Sequence, residues 1–257
     1  MAPKSFIYDN LPLPDASNIP SNIKLRKAVA TDARAMADCF FTSFYPSHKF
    51  WTSEFQPEYF HPWWTEAWAL GINDDPTVRT FIAVDTNYAA QTNSATNGVD
   101  NVESRLESYL DKKFPALVSD GRIVGFTRWR VPQEDGNMDD KWPDLPEGEG
   151  VDMAIMNPFF GGMHVNRDEL MGKNPHWCTT TSYQGQGIGH AFVQWGCDLA
   201  DKDDLEVYID ASERGAPFYA KNFGAMPRKD IPIPEKESFG RFNYVTYVRP
   251  KKSERAG

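Results

Sequence analysis

From Ile23 to Val29 apolar and polar residues alternate, the period of a half-buried strand. Thr31 or Asp32 then offers a helix N-cap. Met36, Cys39, Phe40 and Phe44 recur at helical spacing, which predicts a helix over about 32–45 that Pro46 ends. Thr80 to Val84 reads as a short apolar strand, and Val102 to Leu110 as a helix. Between Ala116 and Trp129 two apolar runs flank Asp120-Gly121, a hairpin pattern whose glycine supplies the positive φ of a tight turn. A helix is expected from Phe159 to Met171. Ile188, Ala191, Phe192, Trp195 and Leu199 form the stripe of an amphipathic helix, and Leu205 to Ala211 reads as a strand. A last helix has Pro217 in its first turn, carries Phe218 and Tyr219, and closes on Gly224 as a C-terminal cap. Asn243 to Val248 alternates as a final strand, and 249–257 reads as a frayed basic end. Strand, helix, hairpin, helix, strand, helix, strand is a mixed α/β order rather than a regular βαβ array.

The segments between these elements are distinctive. Residues 1–22 are rich in Pro, Ser and Asn and read as an extended N-terminal arm. Residues 48–70 hold eight aromatics, which either build core or line an acceptor pocket. Residues 86–101 are polar and almost uncharged, the pattern of a surface insertion, and a second insertion is expected over 131–173. A single domain over 23–250 accommodates all of this.

Composition narrows the function. The 257 residues carry 27 Lys plus Arg against 36 Asp plus Glu, a formal charge of −9. Such a charge argues against nonspecific binding of nucleic acid or anionic membrane. The acidity is local: the window Glu134 to Asp152 carries −7 and Asp198 to Glu206 carries −4, leaving about +2 for the rest, so an anionic ligand remains acceptable. The first window is a solvated loop or an acidic wall beside a cationic substrate. No apolar run of about 18 residues occurs, and residues 1–22 lack a leader pattern, so a cytoplasmic enzyme or small-ligand binder is expected. Cys39, Cys178 and Cys197 are too sparse for a disulfide framework or a zinc site, and no metal is expected.

The chemistry concentrates in 176–224. Tyr183-Gln184-Gly185-Gln186-Gly187-Ile188-Gly189 precedes the amphipathic helix. Glycines there let a ligand approach the backbone, and the free N–H groups and helix dipole attract phosphate. The spacing is neither GxxxxGK[ST] nor GxGxxG.

This segment resembles the GNAT superfamily of acyl-CoA-dependent N-acyltransferases, whose pyrophosphate loop Q/R-x-x-G-x-G/A is matched by Gln184, Gly187 and Gly189. Ala216 to Gly224 looks like that family's tyrosine-bearing last helix, and fungal-type small-molecule GNAT proteins are the most similar in pattern. The resemblance implies a V-splayed, mostly antiparallel sheet flanked by helices, with acetyl-CoA as cosubstrate held in the splay. It implies that Gln184, Gly185, Gln186, Gly187, Ile188 and Gly189 hold the pyrophosphate, that the backbone of Cys178, Thr179 and Thr180 pairs with pantetheine, and that Ser212 and Tyr219 complete the CoA site. Tyr219 would protonate the leaving thiolate. The acceptor would be a small-molecule amine; the oligomeric state is unassigned.

Departures from the family pattern leave alternatives. Pro175 leaves only about five or six residues for the strand before the loop. No Glu lies between 170 and 205, so the general base is Asp210, His176 or an ordered water; Asp210 is carried forward beside Tyr219 as catalytic. Ser212 stands where the family often has Asn, and Gly215 where it has Ala. Cys178 and Cys197 read as ordinary thiols rather than nucleophiles. The alternative function is a catalytically weak acyl-CoA-binding domain.

Overall fold

The computed structural model describes Tyr8 and residues 10–87, 120–135, 142–174, 176–183 and 187–255; for residues 46 and 179–183 it describes the backbone. The expected helix at 102–110, most of the insertion at 86–101, and Gln184, Gly185 and Gln186 lie outside the described residues.

The strands are β1 (Ile23–Lys27), β2 (Val78–Asp85), β3 (Arg122–Arg130), β4 (His176–Tyr183), β5 (Glu206–Ser212), β6 (Met226–Ile231) and β7 (Tyr244–Arg249). The helices are α1 (Ala33–Phe44), α2 (Lys49–Glu54), α3 (Pro57–Asp74), α4 (Met153–Met171), α5 (Ile188–Asp203), α6 (Ala216–Phe223) and α7 (Lys252–Arg255). Among the described residues the strands form one sheet in the order β1-β2-β3-β4-β5-β7-β6. β4 and β5 are parallel; every other neighbour pair is antiparallel. This is the mixed, mostly antiparallel α/β sheet that the sequence pattern predicts.

Both faces of the sheet are covered, so the interior strand β2 is buried at nearly every position from Val78 to Val84, and apolar throughout Phe81 to Val84, rather than alternating. One face packs on α1, α2, α3 and α4. Phe50, Trp51, Phe55, Phe60, Trp63, Trp64 and Trp68 are all buried there, and Phe50 stacks on Phe242 with ring centroids 4.1 Å apart. The aromatic segment 48–70 is therefore two helices of core. The other face packs on α5 and α6, where a Cβ at position 196 would sit 2.3 Å from the Trp129 ring. Gly196 thus lets α5 lie directly on that indole.

Several expectations are corrected. β3 pairs with β2 from Arg122 to Arg130 and with β4 from Gly125, while 116–119, the expected first arm of the hairpin, lie outside the described residues. α4 starts at Met153, six residues before the expected Phe159, because Asp152 caps it by accepting the Ala154 N–H at 2.9 Å. Residues 226–231 form a strand that the pattern did not show, four of the six being charged or Pro and most exposed on the sheet edge. The basic end is held rather than frayed through Arg255: Asp201 binds the guanidinium groups of Arg249 and Arg255, and Asp204 accepts from the Ser253 backbone and hydroxyl.

The described residues of the N-terminal arm before β1 form no helix or strand but follow a fixed path along α5. The Tyr8 hydroxyl donates to Asp203 (2.7 Å), Pro12 accepts from the Trp195 indole (2.8 Å), and Asn18 reaches Gly187.

Candidate active site at the strand splay

β4 runs eight residues, beginning directly after Pro175, so the shortening expected at the site's centre is absent. Its parallel pairing with β5 covers His176↔Glu206 to Thr179↔Ile209 and then stops. Beyond that point Thr180 to Tyr183 pair with β3, and Asp210 to Ser212 pair with β7. The strands diverge at Thr180 and Asp210, leaving one edge of β4 without a strand partner among the described residues. Such an edge presents backbone N–H and C=O groups to an extended ligand. Cys178 and Thr179 sit inside the parallel ladder, so the open stretch starts at Thr180.

At the far end of β4, Gly187 adopts φ +77°, a left-handed conformation that disfavours side chains. A Cβ there would also stand 3.1 Å from the Asn18 carbonyl oxygen. Gly187 accepts the Ala191 N–H at 3.0 Å, so the N–H groups of Ile188, Gly189 and His190 belong to the first helical turn and have no intrahelical acceptor. The side chain of Ile188 is buried in the core; its backbone alone faces outward chemistry.

Asp210 is the first β5 residue past the divergence. Alternation puts it on the α4 face with Tyr208 and Ser212, opposite Thr246 of β7. Its Oδ1 accepts from the Thr246 hydroxyl (2.6 Å) and the Tyr208 hydroxyl (2.9 Å). Burial pushes the carboxyl up to about 7, against which those two hydrogen bonds and the charge of Arg167 pull down. A carboxyl with that affinity exchanges protons near neutral pH.

Tyr219 lies on α6, buried against the same region of the sheet as Ile209, Ala211 and Phe223. Half-buried Tyr244 lies on β7 opposite Ser212: burial first, then Asp210 and Tyr219, raise its phenol well above the ordinary tyrosine range. Tyr219 lies on the α5–α6 face of the sheet and Asp210 on the α4 face. Ser212 uses its hydroxyl locally, accepting the Gly215 N–H at 3.3 Å in the turn into α6.

His176 starts β4, its Nδ1 lies 2.8 Å from the Asn174 carbonyl, and its ring centroid lies 6.3 Å from that of Tyr208. Burial lowers its pKa to about 4, so it is neutral at pH 7. Cys39, Cys178 and Cys197 form no disulfide; burial raises the Cys197 thiol to about 12, an inert state at neutral pH. Among the described residues no group of three or more His, Cys, Asp or Glu side chains is placed to hold a metal ion, and no helix is long and apolar enough to cross a membrane.

Sequence reasoning missed Tyr208, Thr246, Asn166 and Tyr244. The signal was present for two of them: Tyr208 and Asp210 share a strand face by their two-residue spacing, and Thr246 is a polar residue at an inward position of an otherwise apolar strand end.

The strand order, the lone parallel contact where the sheet opens, and the left-handed glycine entering α5 define a mixed α/β fold on one mostly antiparallel sheet. No family model matches the chain. It is similar to the probable acyltransferase SID5 of Ajellomyces capsulatus, 29% identical over 80 residues, which is 31% of this chain and 53% of that protein. The chain thus matches about half the length of this curated relative. Among solved structures it is similar to the histone acetyltransferase HPA2 and related acetyltransferase from Corynebacterium glutamicum (16% identity, 90% of this chain, 97% of that one, TM-score 0.46). It is also similar to NAA60 of Arabidopsis thaliana in complex with acetyl-CoA (11%, 88% and 97%, TM-score 0.42).

Proposed function

We propose that this chain is an acyl-CoA-dependent N-acetyltransferase acting on a primary amine. The observation that carries the reading is the coincidence of an open β4 edge with Asp210, a carboxyl raised to about 7, at the first position beyond the splay.

Acetyl-CoA would enter along that edge. The N–H groups of Gly185 to Gly189 would meet its pyrophosphate at the dipole of α5. Thr180 to Tyr183 would pair with the pantetheine arm, and a backbone N–H at the start of that stretch would stabilise the oxyanion. A thioester is already activated, so orientation and proton handling are the protein's main tasks. The amine nitrogen attacks the thioester carbonyl carbon, a C–N bond forms and the C–S bond breaks. The amine proton passes to the Asp210 carboxylate, directly or through water, and Tyr219 protonates the departing thiolate.

A small-molecule acceptor is favoured by the β6–β7 connection. It is pinned over the α2–α4 side by Lys236, whose ammonium binds Glu54 (3.1 Å) and Asp152 (2.9 Å). Of the acids in the loop before α4, Asp144, Glu147 and Glu149 are exposed and so open to a cationic amine, Asp152 is held by the helix cap and Lys236, and Asp139 and Asp140 lie outside the described residues.

The test is a thermal shift with acetyl-CoA followed by free-thiol release across an amine panel. Stabilisation with acceptor-dependent thiol release is expected. Stabilisation without turnover on any amine favours an acyl-CoA-binding domain, and no response to acetyl-CoA rejects both readings.

A further inference from the structure

Asp210 sits at one end of a hydrogen-bonded chain that runs through Thr246 and Asn166 of α4 to the backbone of β6. Asn166 of α4 donates from Nδ2 to the Thr246 hydroxyl oxygen at 3.0 Å and lies 3.2 Å from the Asp230 carbonyl. With its oxygen already accepting, Thr246 directs its own proton to Asp210 Oδ1 at 2.6 Å. Tyr208 has one hydroxyl proton and two acceptors at equal reach, the Met163 carbonyl and Asp210 Oδ1, both 2.9 Å away, with the Thr246 hydroxyl oxygen further off at 3.2 Å. A carbonyl can only accept, whereas a carboxyl accepts when ionised and donates when protonated.

We propose that Tyr208 and Thr246 are positioning residues that hold Asp210 in one place through both of its protonation states, with Tyr208 turning its proton between Asp210 and the Met163 carbonyl. The inference rests on the reading of Asp210 as the base. With Asp210 ionised, Tyr208 and Thr246 both donate to it. With Oδ1 accepting from both, the amine proton lands on Oδ2, and Oδ1 then goes on accepting from Thr246 while Tyr208 turns its proton to the Met163 carbonyl, so no polar hydrogen loses its acceptor. Only hydrogens move. The carboxyl then takes and releases the amine proton without a rotamer change.

The other groups that influence Asp210 or its partners come from every element around it: Arg167 of α4, Cys178 of β4, Tyr244 of β7 and Tyr219 of α6. Of these, Arg167 favours the ionised form of Asp210.

The experiment is a pH titration of the aspartate carboxyls by NMR in the full chain labelled at the aspartate side-chain carbonyl carbon, with Asp210→Asn identifying the Asp210 signal. It needs no acceptor. Wild-type Asp210 is expected to titrate near 7. Tyr208→Phe and Thr246→Val each remove a donor to the ionised form and are expected to raise that midpoint by about one pH unit. Thr246→Ser keeps the hydroxyl and is expected to restore it, an outcome a purely packing role would not produce. An unmoved midpoint in both donor-deleted variants overturns the positioning role while leaving Asp210 as the base. A wild-type midpoint in the ordinary carboxylate range overturns the base reading itself. If Tyr208→Phe does not fold, the Thr246 pair decides.

Discussion

Replacing Asp210 by Asn should stabilise the protein, and only at neutral to alkaline pH. The carboxyl is raised from 3.8 to about 7 in the fold. Below about pH 4 both folded and unfolded chains carry it protonated. Between about 4 and 7 the unfolded chain releases the proton while the fold keeps it, so stability falls as pH rises through that window. The slope is about 1.4 kcal/mol per pH unit, which over roughly three units sets a ceiling of about 4 kcal/mol. Asparagine retains an oxygen to accept from Tyr208 and Thr246 and never ionises. Urea unfolding of wild type and Asp210→Asn at pH 5, 6.5 and 8 isolates this group, because every other titration is common to both chains. The variant's advantage should grow by roughly 2–3 kcal/mol from pH 5 to pH 8, with no further growth beyond. A difference that is flat with pH, or that shrinks as pH rises, would refute the burial argument. Activity should move the opposite way, with the acidic limb of kcat/KM near pH 7 lost in the variant.

Three further outcomes follow from the same geometry. Tyr219→Phe should lower turnover by roughly 10²-fold while leaving the acetyl-CoA Kd unchanged, since a general acid acts only on the leaving thiolate; calorimetry with single-turnover thiol release separates the two. Gly187→Ala forces a side chain into a left-handed conformation and against the Asn18 carbonyl. It should destabilise by about 1–2 kcal/mol and weaken acetyl-CoA more than the acceptor, read by thermal melts and by the two KM values. Lys236→Met leaves Glu54, 2% exposed, without its cation. It should destabilise by about 3 kcal/mol at pH 8, and a urea midpoint equal to wild type would contradict the pairing.

The legible parts of the fold were those where one physical rule acts alone. The stripe of α5 appeared because its apolar face meets the sheet while its polar face meets water. Gly224 ends α6 with φ +66°, as its position after Phe223 implied. Residues 48–70 hid two helices because α3 is apolar around much of its circumference, its aromatics filling a core shared with Phe159 and Phe242. β4 looked too short because Pro175 cannot donate in a ladder, yet His176 immediately beyond it pairs with Glu206. At the candidate site, the sequence singled out Tyr219 and Asp210 as candidates. The hydrogen-bond partners of Asp210 stayed hidden, because Thr246 meets it across 36 residues of chain through strand register and Asn166 joins only through Thr246, 80 residues away.

The most direct test of the central claim is a crystal structure of the chain with acetyl-CoA bound. The account predicts the pyrophosphate at the N–H groups of Gly187 to Gly189 and the pantetheine along Thr180 to Tyr183. The thioester carbonyl should lie at the divergence of β4 and β5, with the Asp210 carboxyl and the Tyr219 hydroxyl facing it from opposite sides. Acetyl-CoA bound away from the splay, or a thioester beyond reach of Asp210, would contradict it.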